Sequence, residues 1–109
     1  MIIGVLTLTF RLHGNRSLKG KRQVAASLKQ KLRNSFNVAV SEIARQDDLG
    51  TLALAVVTVG PDSRVVQSRL DKALMHAQAA TSEELADSGI ELFSADGADA
   101  DPGAPQDWN

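Results

Sequence analysis

Residues 51–62, TLALAVVTVGPD, decide the fold. Leu52, Leu54 and Val56 form a bulky apolar set, and Ala53, Ala55, Val57 and Val59 a smaller apolar set pointing the other way. A run apolar on both faces predicts an interior strand over residues 51–59, covered on both sides. Gly60-Pro61-Asp62 ends that strand and starts a helix, with Pro61 expected at the first helical position and Asp62 near the positive end of the helix dipole. The helix is predicted to run to about residue 80. Val66, Leu70, Ala73, Leu74 and Ala77 form its buried stripe, and Arg69, Lys72 and His76 lie along one flank.

The pattern extends in both directions from this unit. Upstream, Phe36, Val38 and Val40 alternate with Asn37, Ala39 and Ser41, a second strand joined to the first by the polar turn 44–50, which contains Asp47, Asp48 and Gly50. Before it, residues 18–34 carry Leu18, Val24, Ala25, Leu28 and Leu32 on one side of a helix, with Ser17 placed as N-cap. The chain opens on Ile2, Leu6, Leu8, Phe10 and Leu12 alternating with Thr7, Thr9 and Arg11, a half-buried strand whose apolar face is interrupted by Gly4. Downstream, the polar link with Thr81, Glu83 and Glu84 predicts an extra helical turn before Gly89, and residues 90–94 a short last strand. From residue 95 to 109 periodicity is lost among Asp96, Asp99, Asp101 and Asp107, which predicts a disordered acidic tail.

The order β-α-β-β-α-β predicts an α+β fold, a ferredoxin-like split β-α-β domain over residues 1–94, with a four-stranded antiparallel sheet and both helices on one face. The opposite sheet face would present Ile3, Val5, Ala39, Val57 and Val59, so association into a homo-oligomer through the open face or an edge is expected.

Composition narrows the function classes. With 109 residues, 43% of them hydrophobic, the chain fits one core, and the absence of cysteine rules out a disulfide framework or a thiolate zinc site. The opening apolar run is too short to span a bilayer and lacks a basic flank, so a soluble cytoplasmic protein without a membrane partner is expected. The net charge of −1 hides an uneven distribution: residues 1–41 carry +8 and no acid, residues 42–109 carry −9. Such asymmetry fits a nucleic-acid surface, or a basic face neutralised within the molecule or by a second subunit.

The start Met1-Ile2-Ile3-Gly4-Val5-Leu6, the segment Ser17-Leu18-Lys19-Gly20-Lys21-Arg22 and Phe36-Asn37-Val38 resemble the YlxP-like family of uncharacterised bacterial proteins, over about residues 1–80. The resemblance implies a ferredoxin-like domain of unknown function, no enzymatic activity, and an RNA or ribosome connection, because genes of that family tend to lie among those for transcription elongation and translation initiation. The chain departs from the family at Gly20, where Glu is common and would complete a capping box with Ser17, so a looser helix start is expected. It departs again at Leu49-Gly50-Thr51, where a Trp and a basic residue are usual, and in its acidic tail.

The basic start of the first helix is the candidate site. Arg16, Lys19, Lys21 and Arg22 stand beside the free amides of its first turn, with Lys29 and Arg33 further along, and an anion or RNA backbone is the expected ligand. Lys21 lies within the apolar sector, where a cation must snorkel or meet an acid or a ligand. An RNA-reading sheet surface would need aromatic platforms on its central strands, and those strands have none pointing outward. Binding is therefore expected through phosphates, with little base readout.

Neither a cofactor nor a metal site is expected. His13 and His76 read as isolated surface residues, and Asp47 and Asp48 as turn formers. An acylphosphatase-like pairing of Arg16 with Asn37 or Asn15 lacks the glycine-rich amide cradle that chemistry requires, so a protein without enzymatic activity is expected. The alternative to an RNA-associated factor is a homo-oligomeric regulatory or structural module with no nucleic-acid role.

Overall fold

The computed structural model describes residues 1–43 and 48–95. Its elements are β1 (Ile2–Arg11), α1 (Leu18–Ser35), β2 (Ala39–Ile43), β3 (Thr51–Gly60), α2 (Ser63–Ala80) and β4 (Glu84–Ser94). The strands form one antiparallel sheet in the order β2-β3-β1-β4, the ferredoxin-like arrangement. The tail beyond Ala95, with Trp108, and Asp47 of the β2–β3 turn lie outside the described residues.

Register explains the core. Leu6, Leu8 and Phe10 of β1 stand opposite Val56, Leu54 and Leu52 of β3, and all six are fully buried beneath the helices. Ala25, Leu28 and Leu32 of α1 and Val66, Leu70, Ala73 and Ala77 of α2 close over them. The small side chains on α2 let it lie close to the sheet. Gly4 permits the closest approach, because a Cβ there would collide with Val66 Cγ1 and stand 2.8 Å from Leu70 Cδ1. The interruption in the apolar face of β1 is therefore a seat for α2.

Both helix starts are capped. Ser17 Oγ accepts from the Gly20 amide at 3.0 Å, and Asp62 Oδ1 from the Val65 amide at 3.0 Å. Asp62 is thus the N-cap and Pro61 precedes it, two positions before the first helical residue where it was expected.

Two other boundaries and the cover of one sheet face differ from the sequence reading. Phe36 caps the C-terminus of α1 rather than opening β2, which begins at Ala39. The far face of β3 is not covered by any described element, and Val59 is 51% exposed there. β4 starts at Glu84 rather than residue 90, and the expected helical turn is a turn in which Thr81 Oγ1 accepts from the Glu83 amide. Pairing with the whole of β1 carries β4 through the polar stretch Asp87-Ser88-Gly89, where local propensity alone predicts no strand. A one-residue bulge at Ala86, between the pairs Thr9–Asp87 and Phe10–Leu85, keeps Leu85, Ile90 and Leu92 on the core side.

Candidate nucleic-acid interface

The sequence of α1 separates its cations into two groups. Lys19, Arg22 and Arg33 are exposed, as is Arg16 in the preceding loop, and Lys29 is half-buried. Lys21 faces inward and is only 1% exposed: its Nζ donates to the Asp48 carbonyl at 2.7 Å and lies 3.6 Å from Glu42 Oε1. The awkward cation in the apolar sector therefore meets an acid and a carbonyl within the molecule, and Lys21 is not presented with the others. Lys31 is also engaged, donating to the Ala80 carbonyl at the end of α2 at 3.0 Å.

The head of α1 is tied down on its other side. Asn15 Nδ2 donates to Leu49 O at 2.7 Å and to Ser17 O at 3.0 Å, and its side-chain oxygen occupies the space that a Cβ at residue 20 would need. Gly20 thus gives up the capping box and admits Asn15 instead, which fastens the helix start to the β2–β3 turn and opposes the expected loosening. Since Ser17 Oγ already takes the Gly20 amide, an incoming anion meets side-chain cations before that backbone donor.

Acids are segregated from α1. α1 contains none, and the outward positions of β4 hold Glu84, Asp87 and Glu91, paired in register with Arg11, Thr9 and Val5 on the sheet face away from the helices. Glu84 is held below its ordinary 4.5, chiefly by the hydrogen bond to His13 Nε2 at 2.6 Å, and further by the charges of His13 and Arg11. The same open face carries Ile3, Val5, Ala39 and Val57, with the exposed apolar side chains of Val59, Phe93 and Ile43. Among the described residues this face is apolar with an acidic margin and presents no basic groove.

The pairing of Arg16 with Asn37 considered from sequence does not form, and the two histidines read as isolated have partners. Arg16 and Asn37 lie at opposite ends of an 18-residue helix, about 27 Å apart at 1.5 Å per residue. His13 reaches Glu84, whereas His76 packs edge-on against Phe36 with ring centroids 5.5 Å apart. Among the described residues there is no group of three or more His, Asp or Glu able to hold a metal ion, and no helix long and apolar enough to cross a membrane.

The sequence places Arg69 and Lys72 along one flank of α2, and the structure makes that flank part of a groove that sequence reasoning did not find. A groove of about 500 Å³ is lined by Phe36, Arg64, Val65, Ser68, Arg69 and Lys72. Arg64, Ser68 and Lys72 are spaced four apart on one face of α2, a signal present in the sequence.

Solved structures with this fold include SnoaB, a cofactor-independent oxygenase from Streptomyces nogalater. It is 17% identical, with a TM-score of 0.53, over 87% of this chain and 94% of that one. A point mutant of the same oxygenase is 19% identical with a TM-score of 0.50, over 85% and 92% of the two chains. At these identities the likeness shows the shared fold. It nevertheless corrects the expectation of a protein without enzymatic activity, because an enzyme is built on the same frame over nearly its whole length. No curated protein matches the chain. Residues 3–90 match the model of a family described as "Protein of unknown function (DUF503)". That match covers most of the chain, which therefore belongs to the DUF503 family.

Proposed function

We propose that the helix layer binds the phosphate backbone of structured RNA, as an accessory factor acting on RNA or the ribosome. The observation that carries this reading is the charge of α1, whose exposed Lys19, Arg22 and Arg33, with Arg16 before it, face solvent without an acid on the same helix. Cations in such an array displace condensed counterions from a phosphate backbone, which gives affinity with little sequence preference. The carboxylates Glu84, Asp87 and Glu91 on the opposite sheet face would repel the same ligand, so the molecule is polarised for one-sided approach. The resemblance of residues 17–22 to the YlxP-like proteins supports the same reading.

The open sheet face completes the proposal, as the seat of a second copy of the chain. Three strands of ten or eleven residues and the five-residue β2, at about 3.3 Å per residue and about 4.8 Å apart, offer on the order of 550 Å², against the roughly 800 Å² per partner of a standard interface. Its apolar patch of Ile3, Val59 and Phe93 at one end of the sheet, continued by Val57, suits such a contact.

Co-sedimentation with ribosomal subunits tests the RNA reading. The chain is expected in the pellet at low salt and in the supernatant at high salt, with Lys19→Glu/Arg22→Glu remaining in the supernatant at both. Pelleting that ignores salt and the double substitution would contradict it.

A further inference from the structure

On the core side of β3, Leu52, Leu54 and Val56 are followed by Thr58, a polar residue only 4% exposed. Its hydroxyl donates to the Asn37 carbonyl at 2.8 Å and accepts from Arg69 Nη1 at 2.7 Å, while the same Nη1 donates to the Val59 carbonyl at 2.9 Å. A buried hydroxyl in an apolar series therefore serves to hold a guanidinium. Both acceptors on Arg69 are neutral, and no carboxylate pairs with it among the described residues, so its charge remains available at the groove. Nη1 makes both contacts, which leaves Nε and Nη2 for a ligand.

Arg64 and Lys72 flank this fixed cation on the same face of α2, about 12 Å apart along the axis. The nearby acids of α2 are engaged elsewhere: Asp71 accepts from Gln67 at 3.0 Å and Asp62 caps the helix. The apolar part of the lining is Val65 among those cations on α2 and, across from it, Phe36 at the end of α1, whose ring is oriented by edge-on contact with His76. A bare inorganic anion would leave that apolar part exposed, and an apolar ligand would leave three cations unmatched. The lining calls for an anion that carries a flat apolar body, and the volume falls in the range of about 300–1,000 Å³ usual for small-ligand sites.

We infer that the groove between Phe36 and the Arg64–Lys72 face of α2 holds a single nucleotide, its phosphate on Arg64, Arg69 and Lys72 and its base against Phe36 and Val65. The nucleotide is either free or an unpaired residue of an RNA strand. The second source rests on the RNA reading above, and the first does not. Ser68 provides a hydroxyl for the sugar or the base edge.

The test is a titration of the ¹⁵N-labelled full chain with adenosine monophosphate, inorganic phosphate and adenosine, followed by single-stranded and duplex RNA of one sequence. The monophosphate should move the amide signals of Phe36, Val65, Ser68 and Arg69 and bind more tightly than phosphate or adenosine alone. Arg64→Ala/Lys72→Ala and Phe36→Leu should each weaken it about tenfold. The double variant alters exposed side chains only, so it keeps the test valid if Phe36→Leu fails to fold. A monophosphate that leaves these signals unmoved, or does no better than inorganic phosphate, overturns the inference for a free nucleotide. Single-stranded RNA binding that is lost in Lys19→Glu/Arg22→Glu but unchanged in Phe36→Leu and in Arg64→Ala/Lys72→Ala overturns it for RNA and leaves the RNA reading intact. Monophosphate binding with no RNA binding upholds the site and removes the RNA reading.

Discussion

The Lys21 ammonium donates to the main-chain carbonyl of Asp48 across 2.7 Å, joining the first turn of α1 to the turn before β3. With Glu42 Oε1 at 3.6 Å, the buried cation is compensated, and its place in the apolar sector becomes a feature of the core. Lys21→Met keeps the length of the side chain and removes the charge. It should cost roughly 1–3 kcal/mol, because the Asp48 carbonyl loses its donor and the partly buried Glu42 carboxylate its cation. Thermal unfolding reads that loss. RNA affinity at fixed salt should be unchanged, and a drop matching that of Lys19→Glu would place Lys21 in the interface instead.

Gly4 is under direct steric control by α2. Gly4→Ala should destabilise by about 1–3 kcal/mol, since Val66 and Leu70 must shift from a closed core. Denaturant unfolding of Gly4→Ala/Val66→Ala provides the check. Trimming Val66 should make the alanine at residue 4 less costly than in the wild-type background, whereas strictly additive losses would show that the two side chains do not compete for space.

Glu84 is exposed, and its pKa is lowered chiefly by hydrogen bonding to His13. A carboxylate whose folded pKa is depressed contributes stability that is complete above its unfolded value and is lost as pH falls through the folded one. The contribution of this pair is therefore present above about pH 4.5 and disappears in more acidic solution. Carboxyl NMR titration should place Glu84 below the ordinary glutamate range in the native protein and move it back upward in His13→Ala. An unmoved titration would mean that the contact does not persist in solution.

Much of this architecture was legible in the chain, and the failures share a cause. Strands and helices with strong periodicity, such as β1, β3 and α2, announce themselves because the burial of one face repeats at a fixed interval. β4 did not, since Asp87, Ser88 and Gly89 owe their strand conformation to pairing with β1 and not to their own preferences. The head of α1 was legible as a cation cluster, and the helical wheel already marked Lys21 as anomalous. That Asp48 and Glu42 answer it depends on tertiary contact between α1, β2 and the turn. The α2 groove was hidden for a similar reason: Thr58, Arg69 and Phe36 come from three elements, and only the folded chain brings them together.

Val59 and Phe93 both stand beside Ile3 on the open face, 51% and 48% exposed. If a second copy covers this face, Val59→Asp should yield a monomer by sedimentation equilibrium at micromolar concentration while helix content is retained, because a charge would be desolvated within the contact. A wild-type chain that is already monomeric under those conditions contradicts the proposed dimer.

The measurement that bears most directly on the helix-layer proposal is the salt dependence of affinity for a structured RNA, read by fluorescence anisotropy. Four phosphate contacts predict a slope of log K against log salt of about −3 to −4, and Lys19→Glu/Arg22→Glu should flatten it by about 2. A flat wild-type slope, or the same affinity and slope in the double variant, would contradict the proposal that α1 carries the RNA.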